Sequence, residues 1–239
     1  LNKRRNYATT LERSLAQSRI TPESLQALIG AMEDSLPAFR RYLRAKAKLI
    51  GVEKLAFYDL FAPVGGGEPK AWSFGEAKEF ITTHFGAFTD DLKSYAEQAF
   101  AQHWIDAEPR SGKVGGAYCI SFSEQGESRI LANFAGSSRD VSTLAHELGH
   151  GYHHHLVKDL SPIHQDYPMT LAETASIFAE TLVTDQALRV LDGAARLEFL
   201  ESSLQDSTQV IVDILCRFYF ESELMKRRRD HELTPAELC

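Results

Sequence analysis

Apolar residues recur at helical spacing through Leu25, Leu28, Ile29, Met32, Leu36, Phe39 and Leu43. Thr21-Pro22 in front of them supplies an N-cap followed by proline at the first helical position, so a long helix is predicted here, bent at Pro37. Gly65-Gly66-Gly67 then breaks the chain. Ser73-Phe74-Gly75-Glu76 has capping-box spacing ahead of an apolar face at Ala77, Phe80 and Ile81, and a further helix runs through Leu92, Tyr95, Ala99 and Phe100. The first hundred or so residues read as helical packing surface, with aromatics that build core and no visible chemistry.

The pattern changes between Asp106 and Gly116, where Pro109, Gly112, Gly115 and Gly116 punctuate a loop. Residues 117–122 and 129–134 follow as two short strands, linked through Gly126, that can pair as a hairpin. Helical spacing returns over 138–157, again over 171–191, and again over 194–229. Neither an internal repeat nor a low-complexity tract interrupts this order.

Within the helix predicted over 138–157 stands His146-Glu147-Leu148-Gly149-His150, an H-E-x-x-H motif. Residues i and i+4 lie one turn apart on one helix face, so both imidazoles can reach one ion. Zinc suits them, because it accepts neutral imidazole nitrogen and imposes little geometry of its own. Glu147, beside the first ligand, is placed to meet a water rather than the metal. A catalytic zinc wants a third protein ligand and an open position. Glu173 and Glu180 are the downstream candidates; seven residues apart, they project from about the same face of the helix that follows. Two carboxylates on an otherwise apolar helix are costly to bury unless paired or metal-bound. Glu173 also has capping-box spacing from Thr170, but beside the upstream motif ligation is the stronger expectation. His153, His154 and His155 compete as third ligands, yet three collinear helical side chains converge poorly on one tetrahedral ion.

The run from Thr143 to His153 and the run from Leu171 to Glu180 together resemble the oligoendopeptidase F branch of the thimet oligopeptidase family of zinc metallopeptidases. Gly115-Gly116-Ala117-Tyr118-Cys119, Asn133-Phe134 and His231-Glu232-Leu233-Thr234-Pro235 match its pattern too, and Asn6-Tyr7 and Tyr58-Asp59-Leu60 do so more diffusely. The resemblance implies a mainly α fold: a helical, zincin-like metallopeptidase core with a small β-hairpin or sheet beside the active-site helix. Residues 1–105 would form a helical part of the peptidase shell, and 106–239 a zinc-binding catalytic core. It further implies a zinc-dependent metalloendopeptidase that hydrolyses short peptides with a water activated by Glu147. His146, His150 and Glu173 would hold one Zn2+ per chain, with Glu180 and His153 in the layer behind them. Gly116, Ala117 and Tyr118 would form the edge against which substrate backbone pairs. Family members continue beyond Thr234-Pro235 into a segment with Tyr and His groups that help stabilise the tetrahedral intermediate. Together with the absence of an initiator Met, this leads to the expectation of an internal fragment. A catalytically impaired zinc-binding fragment, and a peptidyl dipeptidase or aminopeptidase with the same ligand set, remain open alternatives.

Composition narrows the partners. The chain is 44% hydrophobic and 25% charged, a balance suited to a globular core. A net charge of -7 does not favour the phosphate backbones that nucleic-acid binders seek, and the basic run Lys226–Arg229 sits among acidic neighbours as a solvated helix face. Three cysteines, odd in number and without a C-x-x-C pair, suit reduced thiols rather than a disulfide framework. No apolar stretch approaches the roughly 20 residues that span a bilayer. Short peptides, a cytoplasmic location, and neither nucleic acid nor membrane are the expectations; oligomeric state is not legible.

Overall fold

The computed structural model describes residues 2–64, 70–229 and 231–238; the break expected at Gly65-Gly66-Gly67 lies outside the described residues. In chain order the elements are α1 (Thr10–Ser18), α2 (Pro22–Ile50), α3 (Phe74–Phe88), α4 (Asp90–Ala101), β1 (Ile105–Asp106), β2 (Tyr118–Phe122) and β3 (Glu127–Leu131). They continue with α5 (Ser138–Val157), α6 (Pro162–Gln165), α7 (Met169–Ala172), α8 (Thr174–Val190), α9 (Gly193–Thr208), α10 (Ile214–Arg227) and α11 (Pro235–Leu238). The fold is mainly helical with one small sheet, as expected. Two compact units form, one from residues 1–63 with 204–239 and the other from 64–203.

In the first unit α2 starts where the sequence places it. Thr21 Oγ1 accepts from the Ser24 amide at 3.1 Å, and Pro22 opens the helix, where its missing N–H costs nothing. Pro37 lies inside the helix, and Gly51 ends it at φ 78°, a left-handed conformation that glycine adopts without steric penalty. Lys46 is buried and donates to the Leu60 carbonyl at 2.8 Å, and Tyr219 of α10 donates to Glu33 of α2 at 2.6 Å. The single helix expected over 194–229 is instead two, joined by a widened π turn at Gln209–Asp213 that is braced by a 2.6 Å bond from the Gln209 amide to Asp213.

The second unit holds the chemistry. Ser73 and Glu76 make the expected reciprocal cap on α3. Its core is built from Ile81 and Phe85 of α3, Leu92, Tyr95 and Ala96 of α4, Val141, Leu144 and Leu148 of α5, and Ala179, Val183 and Ala187 of α8. The sheet has the order β1-β3-β2, with β2 and β3 antiparallel from Tyr118↔Leu131 to Phe122↔Glu127. This register turns Cys119, Ser121, Ser128 and Ile130 to one face and Tyr118, Ile120 and Phe122 to the other. β2 is an edge strand. The two-residue β1, parallel to β3 through Ile105↔Ile130, is absent from the sequence expectation because so short a segment has no periodicity of its own.

Candidate metal centre

α5 is set by local rules before any chemistry. Ser137 Oγ accepts from the Asp140 amide at 3.2 Å, and the Asp140 carboxylate accepts from the amides of Ser137 and Ala135 at 2.9 Å each. Val141, Leu144, Ala145 and Leu148 are all fully buried, and the three larger ones contribute about 1.5–3 kcal/mol each. That burial fixes the rotation of the helix, so His146 and His150 leave it together on another face, their ring centroids 4.9 Å apart.

Between them Gly149 lets α8 come close. A Cβ at Gly149 would stand 2.6 Å from the Ala175 carbonyl oxygen, 2.7 Å from Ser176 Cα and 2.8 Å from Ala179 Cβ. Only a residue without a side chain fits there. This approach carries Glu173, at the junction of α7 and α8, to the histidines: its Oε2 lies 3.2 Å from His146 Nε2 and 3.2 Å from His150 Nε2. One ligand atom from each residue falls within 4.8 Å of the others. Two atoms each about 2.0–2.1 Å from a tetrahedral zinc stand roughly 3.3 Å apart, and the two His–Glu173 separations are close to that length.

The helix expected over 171–191 is interrupted at Glu173, which takes φ -88° and ψ 0°. Thr170 lies inside α7 rather than at a cap, and the Glu173 carboxylate turns to the histidines instead. Ser176 Oγ donates to the same Oε2 at 2.8 Å, a partner the sequence reading missed although i and i+3 share a helix face. His146 also has a partner behind it. Its Nδ1 is 3.2 Å from Glu180 Oε2, and the backbone of Ala172 lies near enough to the His150 ring to favour its protonated form slightly. Such partners fix the tautomer and orientation of ligating histidines.

Glu147 is buried, and its Oε2 has no hydrogen-bond partner among the described residues. Burial, reinforced by the nearby Glu173 carboxylate and opposed by His146, pushes its pKa up to about 7. Burial also depresses His150, an effect Glu173 only partly offsets. At His146 burial is the largest single influence and acts downward. The hydrogen bond to Glu180 and the charges of Glu147, Glu180 and Glu173 together outweigh it and raise the pKa. An unpaired buried carboxylate oxygen beside three converging donors suits a site built for a cation and a water.

The structure thus brings His146, Glu147, His150, Glu173 and Glu180 together. His153 is not among the three clustered residues and stacks on Tyr167, with centroids 4.4 Å apart. Gly116, Ala117 and Tyr118 lead into the edge strand β2. Gly116 has φ 87°, which suits glycine, and the Asn133 amide holds the turn by donating to the Val114 and Gly116 carbonyls at 2.9 and 3.0 Å. The next residue, Cys119, is close enough to Glu147 that its thiol is pushed up to about 12, by burial first and then by that charge. Neither Cys119 nor Tyr167 carried a signal of chemistry in the sequence.

Comparison with known proteins gives the family. The model of peptidase family M3 matches residues 1–208. An oligoendopeptidase F homolog of Lactococcus lactis subsp. lactis is 29% identical over 186 residues, 77% of this chain and 31% of that protein. The oligopeptidase PepF of Bacillus subtilis is 26% identical over 203 residues, 84% of this chain and 30% of that protein. The chain therefore spans about a third of the length of the curated relatives it matches. Among solved structures, a Chlamydophila abortus protein assigned as a peptidase superposes with a TM-score of 0.78 at 25% identity, covering 94% of this chain and 38% of that one. A Bacillus anthracis protein assigned as an oligoendopeptidase F shares the fold with a TM-score of 0.81 at 18% identity, covering 99% and 44%. With the family match over most of its length, the chain belongs to peptidase family M3, in the oligoendopeptidase F branch.

Proposed function

We propose that this chain forms the metal-binding part of a zinc-dependent metalloendopeptidase acting on short peptides, with His146, His150 and Glu173 as ligands to one Zn2+ and Glu147 as general base. One observation carries it: three potential ligand atoms cluster within 4.8 Å, two of their separations being 3.2 Å, beside a buried carboxylate oxygen without a hydrogen-bond partner among the described residues. The family, whose members are in general zinc-dependent, supports the choice of ion.

Bound zinc would supply Lewis acidity, polarising a carbonyl and making water easier to deprotonate. Glu147 accepts the proton of the attacking water on its free oxygen and returns it to the leaving amine. Glu180 holds the His146 imidazole in the orientation that presents Nε2, and Ser176 steadies Glu173. An extended peptide adds to the free edge of β2 through backbone hydrogen bonds, with Gly116, Ala117 and Tyr118 setting the register. Cys119 and Cys216 are free thiols, which supports a reducing, cytoplasmic location.

Elemental analysis of the purified chain tests the ligand set, and hydrolysis of a quenched peptide tests the chemistry. The expected results are about one zinc per chain, a sharp loss in Glu173→Ala, and turnover that chelator abolishes and zinc restores. Full occupancy in Glu173→Ala would remove that residue from the ligand set, and chelator-insensitive turnover would remove zinc from the reaction.

A further inference from the structure

The segment from α5 to Glu173, residues 158–172, is a strap laid over the unit with Ile163, Met169 and Leu171 exposed. The Gln165 amide donates to the Lys158 and Leu160 carbonyls at 3.1 and 2.8 Å, which closes the strap on itself. Tyr167, partly buried, and Pro168, buried, anchor it inward. The Tyr167 ring lies on that of His153 with 4.4 Å between centroids and 26° between planes, and its hydroxyl is 3.1 Å from His154 Nε2. Both histidines belong to the last turns of α5, one turn beyond His150. At its far end the strap delivers the Glu173 carboxylate to the metal centre, 3.2 Å from His150 Nε2.

We propose that Tyr167 is the positioning residue of the third ligand. Clamped between His153 and His154, it fixes the strap so that Glu173 closes the ligand set. This rests on the metal reading above. A helix alone supplies two ligands in fixed relation, whereas a ligand at the end of an exposed segment arrives only when the freedom of that segment has been removed. The clamp removes it with side chains of the ligand helix itself, so strap and histidines keep one frame. It also gives His153 a role, as the surface on which the tyrosine ring rests.

Zinc affinity of the full chain, measured by competition with a chromogenic chelator, tests the proposal alongside the visible spectrum of the cobalt-substituted protein. Tyr167→Phe keeps the ring and loses the bond to His154, and should weaken zinc about 2–10-fold. Tyr167→Leu loses both and should weaken it about 10–100-fold, the range that follows loss of the groups that orient metal ligands. The cobalt spectrum of Tyr167→Leu should shift towards that of Glu173→Ala, and Tyr167→Phe should keep the parent spectrum. A tyrosine that serves stability alone would lower the unfolding temperature of the chelated protein and leave the cobalt spectrum unchanged. That result, or parent affinity in Tyr167→Leu, overturns the proposal while the metal reading stands. A parent chain that takes up no zinc overturns both.

Discussion

Replacing Gly149 by alanine tests whether the approach of α8 to α5 places the third ligand. The added Cβ would meet the Ala175 carbonyl oxygen at 2.6 Å, Ser176 Cα at 2.7 Å and Ala179 Cβ at 2.8 Å, two of them backbone atoms with no rotamer to change. Non-bonded carbon contacts relax to roughly 3.5–4.0 Å, so α8 must move away by about 0.7–1 Å. Metal sites tolerate only about 0.2 Å in ligand distance. Glu173 at the head of α8 and Glu180 within it move with the helix, so the proposed carboxylate ligand and the partner of His146 are displaced together. Overpacking costs about 1–3 kcal/mol, offset by about 0.5–1 kcal/mol from replacing glycine inside a helix. Urea unfolding in EDTA should therefore show a loss of at most about 2.5 kcal/mol. Zinc affinity, read by chelator competition, should fall at least tenfold. Gly30→Ala, where a Cβ in α2 meets nothing within 4 Å, is the control and should be neutral or stabilising by about 0.4–1 kcal/mol. A folded Gly149→Ala chain that binds zinc within twofold of the parent would refute the reasoning.

Further outcomes follow from the same geometry. Glu147→Gln should keep about one zinc per chain by elemental analysis and lose peptide turnover; undiminished hydrolysis would show that another group takes the proton. Ser176→Ala removes a 2.8 Å hydrogen bond to a charged carboxylate, a change of about 1.5–3 kcal/mol that isothermal titration should register as weaker zinc binding. Leu144→Ala opens a cavity in the face that sets the rotation of α5 and should cost about 2–5 kcal/mol in a urea titration. Free zinc at a hundred times its Kd should add about 2.7 kcal/mol to stability, visible as a rise in Tm that EDTA reverses; an unchanged Tm would mean that the folded chain has no specific site.

The readable parts of the sequence were those governed by local rules. The expected span of α5, 138–157, coincides with the observed helix because a capping box at Ser137 and Asp140 starts it and a 3.6-residue apolar period carries it. The i, i+4 spacing of His146 and His150 needs nothing beyond that helix. The break at Glu173 was not readable, since 171–191 contains neither proline nor glycine and its apolar spacing continues across the junction. What interrupts it is tertiary: the carboxylate meets two imidazoles on a neighbouring helix. β1 escaped for a similar reason, because Ile105-Asp106 becomes a strand only by pairing with Ile130 and Leu131. Tyr167 carries no local signal, because its contacts with His153 and His154 exist only once the strap folds back.

The strap has a consequence for the covalent integrity of the chain. His146 and His150 come from one helix, and Glu173 returns 23 residues after His150, so an ion held by all three closes a loop. The chain entropy that such a clasp removes from the unfolded ensemble is roughly 3 kcal/mol for a loop of this length. Its backbone is also where Ile163, Met169 and Leu171 stand exposed to any protease. A nick there would leave the fold's core uncut yet turn an intramolecular ligand into one tethered only by packing. Resistance of this segment to limited proteolysis should therefore rise and fall with occupancy of the centre it encloses.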